Sequence, residues 1–305
     1  MLKMKKMTLL EEACILVPEF EELYIKLRRS IEISGKSQST LTNYGRCLAA
    51  MALHYECCPC KLDEEQVLDY LYYLKTRSNT PSLSYFKHTV YGLRFAYKVL
   101  GLKGQEVCLP AIKQNNKLPV VLSVREVMRL LSAPDLLKHR LILALMYGCG
   151  LRQFELINLR LPDIDLDRKM LHVRHGKGGK SRYVPLGKLL VRGLRSYLTA
   201  ETPHIWLFNG RGYNGGLQQL SRSGVQVVIR KATSRAGIIK HVTSHVLRHT
   251  YATHLMEMGM DIMTLKDLMG HRDIKTTLLY LHMAQLGRDK AFCPLDKLYS
   301  GERLL

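Results

Sequence analysis

Acidic residues are scarce in this chain of 305 residues. It has 26 Asp and Glu against 46 Lys and Arg, a net charge of +20. That imbalance excludes an acid-solvated surface and points to a polyanionic partner, either nucleic acid or an anionic membrane face. Long apolar runs are also missing. None approaches the ~18 residues of a membrane span, so no membrane role is expected. Glu11 and Glu12 interrupt the N-terminal apolar stretch, so no secretory leader is expected there. Without one, the eight cysteines read as free thiols in a reducing, cytosolic compartment. Metal-ligand spacings are lacking too. The Cys57-Cys58-Pro-Cys60 cluster beside His54 has no second ligand pair, and His245 and His249, spaced i, i+4, have no acidic ligand and no His-Glu-x-x-His pattern. Neither a metal nor a cofactor is therefore expected. No internal repeat or low-complexity tract is present.

What remains is an ordinary globular composition, 47% hydrophobic, at a length that fits two domains of roughly 100–200 residues each. The charge is unevenly placed: residues 1–107 hold 15 basic and 12 acidic residues, whereas 108–305 hold 31 and 14. Periodicity predicts four helices in the first part, over Pro18 to Ser34, Ser37 to Tyr55, Asp63 to Thr76 and Ser82 to Leu100. Phe20, Leu23, Leu27 and Ile31 fall on one face of the first, and Leu41, Tyr44, Leu48 and Met51 on one face of the second. The predicted division is an extension at 1–17, a helical domain at 18–104, a polar linker at 105–122, a second domain at 123–290 and a tail at 291–305. Ser123-Val-Arg-Glu126 has the form of a capping box opening the second domain. An apolar helix from Leu136 to Tyr147 follows, then a β pair, Met170–His175 with Arg182–Leu186, around a Gly-Lys-Gly-Gly turn. A helix near 187–199, a strand at Ile205–Phe208 and helices near 217–236, 244–258, 261–269 and 274–283 complete the prediction. The fold class is mainly α with a small β-sheet in the second domain.

The second domain carries residues suited to phosphodiester chemistry. Attack on a phosphodiester builds negative charge on the non-bridging oxygens, and Arg can bind two of them with its planar fork while staying charged. Arg152, after the turn Gly148-Cys-Gly150-Leu151, and Arg248 are the two candidates, with Glu155 one helical turn on from Arg152 to orient it. His245 and Arg248, spaced i, i+3, share a helix face, and an imidazole there can move a proton near neutral pH. His249 is the next residue around the helix and reads, like His254, as a hydrogen-bonded core histidine. His271 follows Gly270 at a helix end, free to reach inward, and Tyr280 stands on the next helix. Lys177 sits at a glycine-bounded hairpin tip, and Lys180 and Arg182 on the same hairpin are expected to contact DNA backbone phosphates.

Four stretches in this order resemble the tyrosine recombinases, the family of phage integrases and Xer-type recombinases. They are Tyr-Gly-Cys-Gly-Leu-Arg152-Gln-Phe-Glu155-Leu-Ile-Asn-Leu-Arg, Gly-Lys177-Gly-Gly-Lys-Ser-Arg-Tyr-Val-Pro-Leu, Ser-His245-Val-Leu-Arg248-His-Thr-Tyr-Ala-Thr-His-Leu and Leu-Met-Gly-His271-Arg-Asp-Ile-Lys-Thr-Thr-Leu-Leu-Tyr280-Leu-His. Gln153-Phe154 stands for the commoner Ile-Ser pair, Leu-Met precedes Gly-His, and Leu281 replaces a frequent Thr; none of these removes a functional group. The resemblance implies a SAM-like core-binding domain ahead of a catalytic domain. It implies that Tyr280 attacks a DNA phosphate to give a 3′-phosphotyrosyl link, with Lys177 as acid for the 5′-hydroxyl. Arg152 and Arg248 would clamp the phosphate, His245 would assist proton transfer at Tyr280, and His271 would hydrogen-bond a phosphate oxygen. The implied partner is double-stranded DNA with specific recombination sites, gripped from opposite sides by the two domains. A tetramer would form on synapsed DNA, and the tail would dock on a neighbouring subunit. The implied role is integration for a mobile element. Chromosome-dimer resolution and DNA relaxation of the type IB topoisomerase kind are the alternatives.

Overall fold

The computed structural model describes residues 7–76, 83–102, 119–174, 181–211 and 216–283. The chain divides into two compact units, Met1–Asn115 and Asn116–Leu305. In the first unit the described residues form α1 (Leu9–Leu16), α2 (Phe20–Ile33), α3 (Gln38–Tyr55), α4 (Glu64–Thr76) and α5 (Leu83–Leu100), with a 3₁₀ turn at Pro59–Lys61. Phe20, Leu23, Leu27 and Ile31 are all buried, on the face their spacing predicts, and Leu41, Leu48 and Met51 meet them from α3. Cys57, Cys58 and Cys60, around the 3₁₀ turn, are free thiols.

The stretch read as an extension ahead of the first helix contains α1, a helix the periodicity missed. Its signature was the cap: the Thr8 amide donates to Glu11 Oε2 at 2.7 Å and Thr8 Oγ1 accepts from the Glu11 amide at 3.3 Å. Ala13 and Val17 then bury into the helical core.

In the second unit α6 (Val124–Ser132) opens with the predicted Ser123–Glu126 capping box. It is followed by α7 (Leu137–Gly148), α8 (Gln153–Ile157), β1 (Ile164–Asp165), β2 (Met170–Val173), β3 (Arg182–Pro185), α9 (Lys188–Glu201), β4 (Asn209–Arg211), β5 (Leu217–Gln219), α10 (Arg222–Arg235), α11 (Ser244–Glu257), α12 (Ile262–Met269) and α13 (Lys275–Met283). Strands β1, β2 and β3 form an antiparallel sheet in that order, with Leu171 opposite Val184 and Val173 opposite Arg182. The main core forms around α7, whose Leu141, Ile142, Leu143, Leu145 and Met146 are buried on several faces.

Two predicted elements shift. Ile205–Phe208 forms no strand: Trp206 makes an isolated bridge to Arg160, and Leu207 donates to the Leu159 carbonyl at 2.8 Å. Leu207 and Phe208 are buried while Ile205 is exposed, and the strand pairing falls on β4 with β5. Residues 217–219 therefore belong to β5, and α10 starts at Arg222, where Ser221 Oγ caps the Gly224 amide at 3.0 Å.

Candidate active site

Four elements deliver side chains to one pocket in the second unit: the α7–α8 turn, β3, α11 and the segment from the end of α12 into α13. Their convergence depends on Gly150. Its φ of +57° is a left-handed conformation, and a Cβ there would meet the Tyr251 ring at 2.6 Å. The turn it permits places Arg152 at the start of α8 and aims the Gly150 carbonyl at the Arg248 guanidinium, which donates to it.

Glu155 is the hub. It is 4% exposed, yet it faces three guanidinium groups. Oε1 accepts from Arg152 Nη1 at 2.7 Å and Arg182 Nη1 at 2.9 Å; Oε2 accepts from the Arg152 amide at 2.9 Å and Arg182 Nη2 at 2.8 Å. Arg248 Nη1 lies 3.9 Å from Oε2. Burial alone would raise the carboxyl's pKa. The hydrogen bonds and charge of Arg182, joined by those of Arg152, override burial and hold it at about 2. One carboxylate among three guanidiniums leaves a net positive pocket, the electrostatics an anionic phosphate requires.

The arginines are not equivalent. Arg182, expected on a DNA-facing hairpin, is turned inward instead. Its side chain is 8% exposed, its fork grips Glu155, and its Nε donates to the Leu268 carbonyl at 2.7 Å. It braces the hub and is not placed to contact a DNA backbone. The signal was in the strand alternation, since Arg182 shares a β3 face with buried Val184. Arg248 is 3% exposed and donates to the Gly150 and Met269 carbonyls and, from Nη2, to His271 Nε2 at 3.2 Å. Arg152 is the most open of the three, with its side chain 19% exposed. Its Nη2 donates to the Gly270 carbonyl at 3.3 Å.

The imidazoles divide by environment. His271 accepts from Arg248 at Nε2, so its Nδ1 carries the proton and donates to Thr277 Oγ1 at 2.9 Å. Burial, then the charges of Arg248 and Arg152, push its pKa down to about 3 and keep the ring neutral. His245 is exposed, its pKa lowered by partial burial and then by Arg248 and Arg152. His254 is a core histidine as expected, held by Tyr147 Oη at 2.9 Å and the Leu122 carbonyl at 2.9 Å.

His249 differs from the expectation. Its place next to Arg248 predicts a structural residue pointing elsewhere, but its Nδ1 lies 3.0 Å from Tyr280 Oη. Tyr280 is 2% exposed, seated among Tyr251, Met269 and Leu265, with its ring stacked on His271 at a 6.1 Å centroid distance. Burial raises the phenol's pKa, while Arg248 and Arg152 pull it back. The sequence did hold a clue. His245 and His249 are spaced i, i+4, which puts them on one face, and their ring centres are 6.4 Å apart. Adjacent positions on an exposed helix diverge, whereas α11 is enclosed on several sides and its neighbouring faces both meet protein.

The pocket thus brings together Arg152, Glu155, His245, Arg248, His249, His271 and Tyr280. Lys177 and Lys180 lie outside the described residues, as do most of the linker and the whole tail. Among the described residues no group of three or more His, Cys, Asp and Glu side chains is placed to hold a metal, and no helix is long and apolar enough to cross a membrane.

Residues 121–286 match the phage integrase family, and residues 23–103 match the phage integrase N-terminal SAM-like domain. The putative integrase/recombinase y4qK of Sinorhizobium fredii is 34% identical over 262 residues, covering 85% of this chain and 83% of that protein. The tyrosine recombinase XerA of Pyrococcus horikoshii is 33% identical over 258 residues, covering 82% and 85%. The crystal structure of a XerA recombinase aligns over 93% of this chain and 100% of its own, at 27% identity and a TM-score of 0.50. The Tn1549 transposon integrase in complex with transposon right end DNA has the same fold. That match has a TM-score of 0.66 at 17% identity and covers 91% and 97% of the two chains.

Proposed function

The chain belongs to the phage integrase family, as a tyrosine-type site-specific recombinase, and from that premise we propose which residues cut and rejoin its DNA. Tyr280 is the nucleophile. The observation that carries this reading is the placement of its hydroxyl: buried, in contact with an imidazole, and on a helix that follows the Arg248–His271 hydrogen bond. Such a phenol needs no nucleotide, because the phosphotyrosyl bond keeps the energy of the phosphodiester it replaces, and the guanidiniums supply the positive charge that a metal would otherwise bring.

Arg152 is the guanidinium most open to an entering phosphate, and Arg248 backs it from the pocket floor. Together they neutralise the charge of the pentacoordinate transition state. Exposed His245 stands at the mouth, where an imidazole can reach a phosphate oxygen. His271, with both ring nitrogens committed inside the protein, acts on the phosphate by holding Arg248. Lys177 delivers the proton that the departing 5′-hydroxyl needs. A 5′-hydroxyl of the partner strand then attacks the phosphotyrosine and frees Tyr280.

The substrate is duplex DNA carrying a specific recombination site, taken up by four copies on two synapsed sites in the cytoplasm. The excess of cations in residues 108–305 supplies phosphate contacts, so affinity falls steeply with salt. We place the reaction in the integration and excision of a mobile element. Mapping covalent protein–DNA adducts in cells tests this: adducts at element ends support it, and adducts at a single chromosomal dimer-resolution site contradict it. For the chemistry, a nicked suicide substrate is the test. Wild-type protein gives a covalent adduct and Tyr280→Phe gives none while still binding the site. An adduct with Tyr280→Phe would remove Tyr280 from the role.

A further inference from the structure

Resting on the reading of Tyr280 as nucleophile, we infer that His249 is a further catalytic residue, the group that receives the Tyr280 proton as the phenolic oxygen attacks. The sequence motifs point to His245 for that task. The geometry does not: His245 is exposed and lies one ring beyond His249, 6.4 Å between centroids, whereas His249 Nδ1 sits 3.0 Å from Tyr280 Oη, within direct transfer distance.

The remaining imidazole is excluded by its bonds. His271 stacks on the Tyr280 ring, so it offers a face to the phenol and no nitrogen in its plane. Its Nε2 already accepts from Arg248 and its Nδ1 donates to Thr277. His249 is the imidazole whose ring nitrogen meets the hydroxyl itself. Its surroundings keep it neutral, with burial first and then His245 and Arg248 holding its pKa at about 4. A neutral ring with Nδ1 facing a phenol is an acceptor, so Tyr280 donates. The groups facing His249 are His245 and Arg248 on its own helix and Tyr280 on α13, with His271 on the far side of the phenol. A bound phosphodiester adds one negative charge to this positive set, which favours an imidazolium at His249 once the proton has moved.

The step balances. The Tyr280 O–H bond breaks and an N–H bond forms at His249 Nδ1. The Oη–P bond forms while the P–O5′ bond breaks, and the leaving 5′-oxygen takes a proton from the general acid. In the second half the incoming 5′-hydroxyl gives up its proton to that acid's conjugate base, and His249 returns its own to Tyr280 Oη. A single imidazole therefore carries the proton out and back, and the active site ends in its starting protonation state.

The experiment is single-turnover adduct formation on a nicked suicide substrate, with wild type, His249→Ala, His249→Asn and Tyr280→Phe, each checked for DNA binding by gel shift. His249→Ala is expected to slow adduct formation about 100-fold, the scale of a lost general base, with site binding retained. Added imidazole is expected to recover part of the rate in His249→Ala and nothing in Tyr280→Phe. His249→Asn supplies an acceptor oxygen but no base, and is expected to stay slow. A His249→Ala rate within threefold of wild type overturns the inference. So does full activity in His249→Asn, which would make the residue a positioning group, or a slow His249→Ala that imidazole does not rescue. An adduct with Tyr280→Phe would instead defeat the underlying assignment of the nucleophile, whatever His249 does.

Discussion

The two units of the chain both bury an apolar core and differ in the polar residues buried beside it. Around α2 and α3 the core is apolar, and Thr89 is the one polar residue among the described buried positions there. Among the described residues, the ion pairs Lys26–Glu22, Arg28–Glu32 and Lys61–Glu19 lie at the surface with side chains at least 48% exposed. The second unit buries Glu155, Asp163, Arg248, Thr250, Thr253, His254 and Thr277. Exposed pairs contribute little to stability, whereas removing one partner of a buried pair leaves an uncompensated charge. The first unit is therefore built to hold its shape. The second gives up some of that security to hold positive charge, poorly hydrated, at the proposed phosphate site.

That difference can be broken by mutation. The largest effect is expected from Glu155→Ala, which strands Arg182 and Arg248 without their counter-charge. Loss of about 3–5 kcal/mol should appear as a lower denaturation midpoint for the second unit, read by tryptophan fluorescence because Trp206 lies there. Glu32→Ala in the first unit should leave its midpoint unchanged. Equal sensitivity of the two units would end the distinction.

Next in size is Gly150→Ala. The left-handed φ of +57° and the Tyr251 ring beneath it both oppose a methyl group. A cost of about 2–4 kcal/mol is expected, together with lost cleavage, because the Gly150 carbonyl anchors Arg248. Circular dichroism melts and the adduct assay read the two consequences.

Acid should separate the units without any mutation. The Glu155 pKa, about 2, is below the ordinary 4.5, so its stabilisation is fully present above pH 4.5 and is lost as pH falls from there through about 2. The amount at stake is ~3 kcal/mol. The second unit should therefore weaken first in an acid titration at moderate urea, and Glu155→Gln should flatten its acid dependence. An acid limb that survives Glu155→Gln would assign the effect to other groups.

The smallest predicted effect is a control. Thr8→Ala and Ser123→Ala each remove a capping box, one per unit, and each should cost about 1 kcal/mol. Caps act locally, so the two units should respond alike here even though they differ over Glu155.

What the sequence disclosed follows the same division. The apolar faces of α2 and α3 were legible because burial there follows a single period, with Phe20, Leu23, Leu27 and Ile31 on one stripe. The motifs identified Arg152, Glu155, Arg248, His271 and Tyr280, and these do converge. What periodicity could not supply was direction. A basic hairpin predicts a surface cation at Arg182, yet strand alternation turns it into the core. His249 was assigned away from the pocket because it follows Arg248, but α11 is surrounded and α13 meets the face it presents. Buried polar clusters are set by contacts between elements distant in sequence, such as Glu155 with Arg182, and no local pattern encodes those. The β4–β5 pair escapes a sequence reading for a simpler reason: strands of three residues carry too little alternation to read.

The assignment of Tyr280 is tested most directly by locating the covalent bond itself. Wild-type protein is trapped on a suicide substrate and digested with protease and nuclease, and the modified peptide is sequenced by mass spectrometry. A nucleotide 3′-phosphate on Tyr280 is the predicted result. The same modification on another residue, Tyr251 or Tyr147 for instance, would contradict the account.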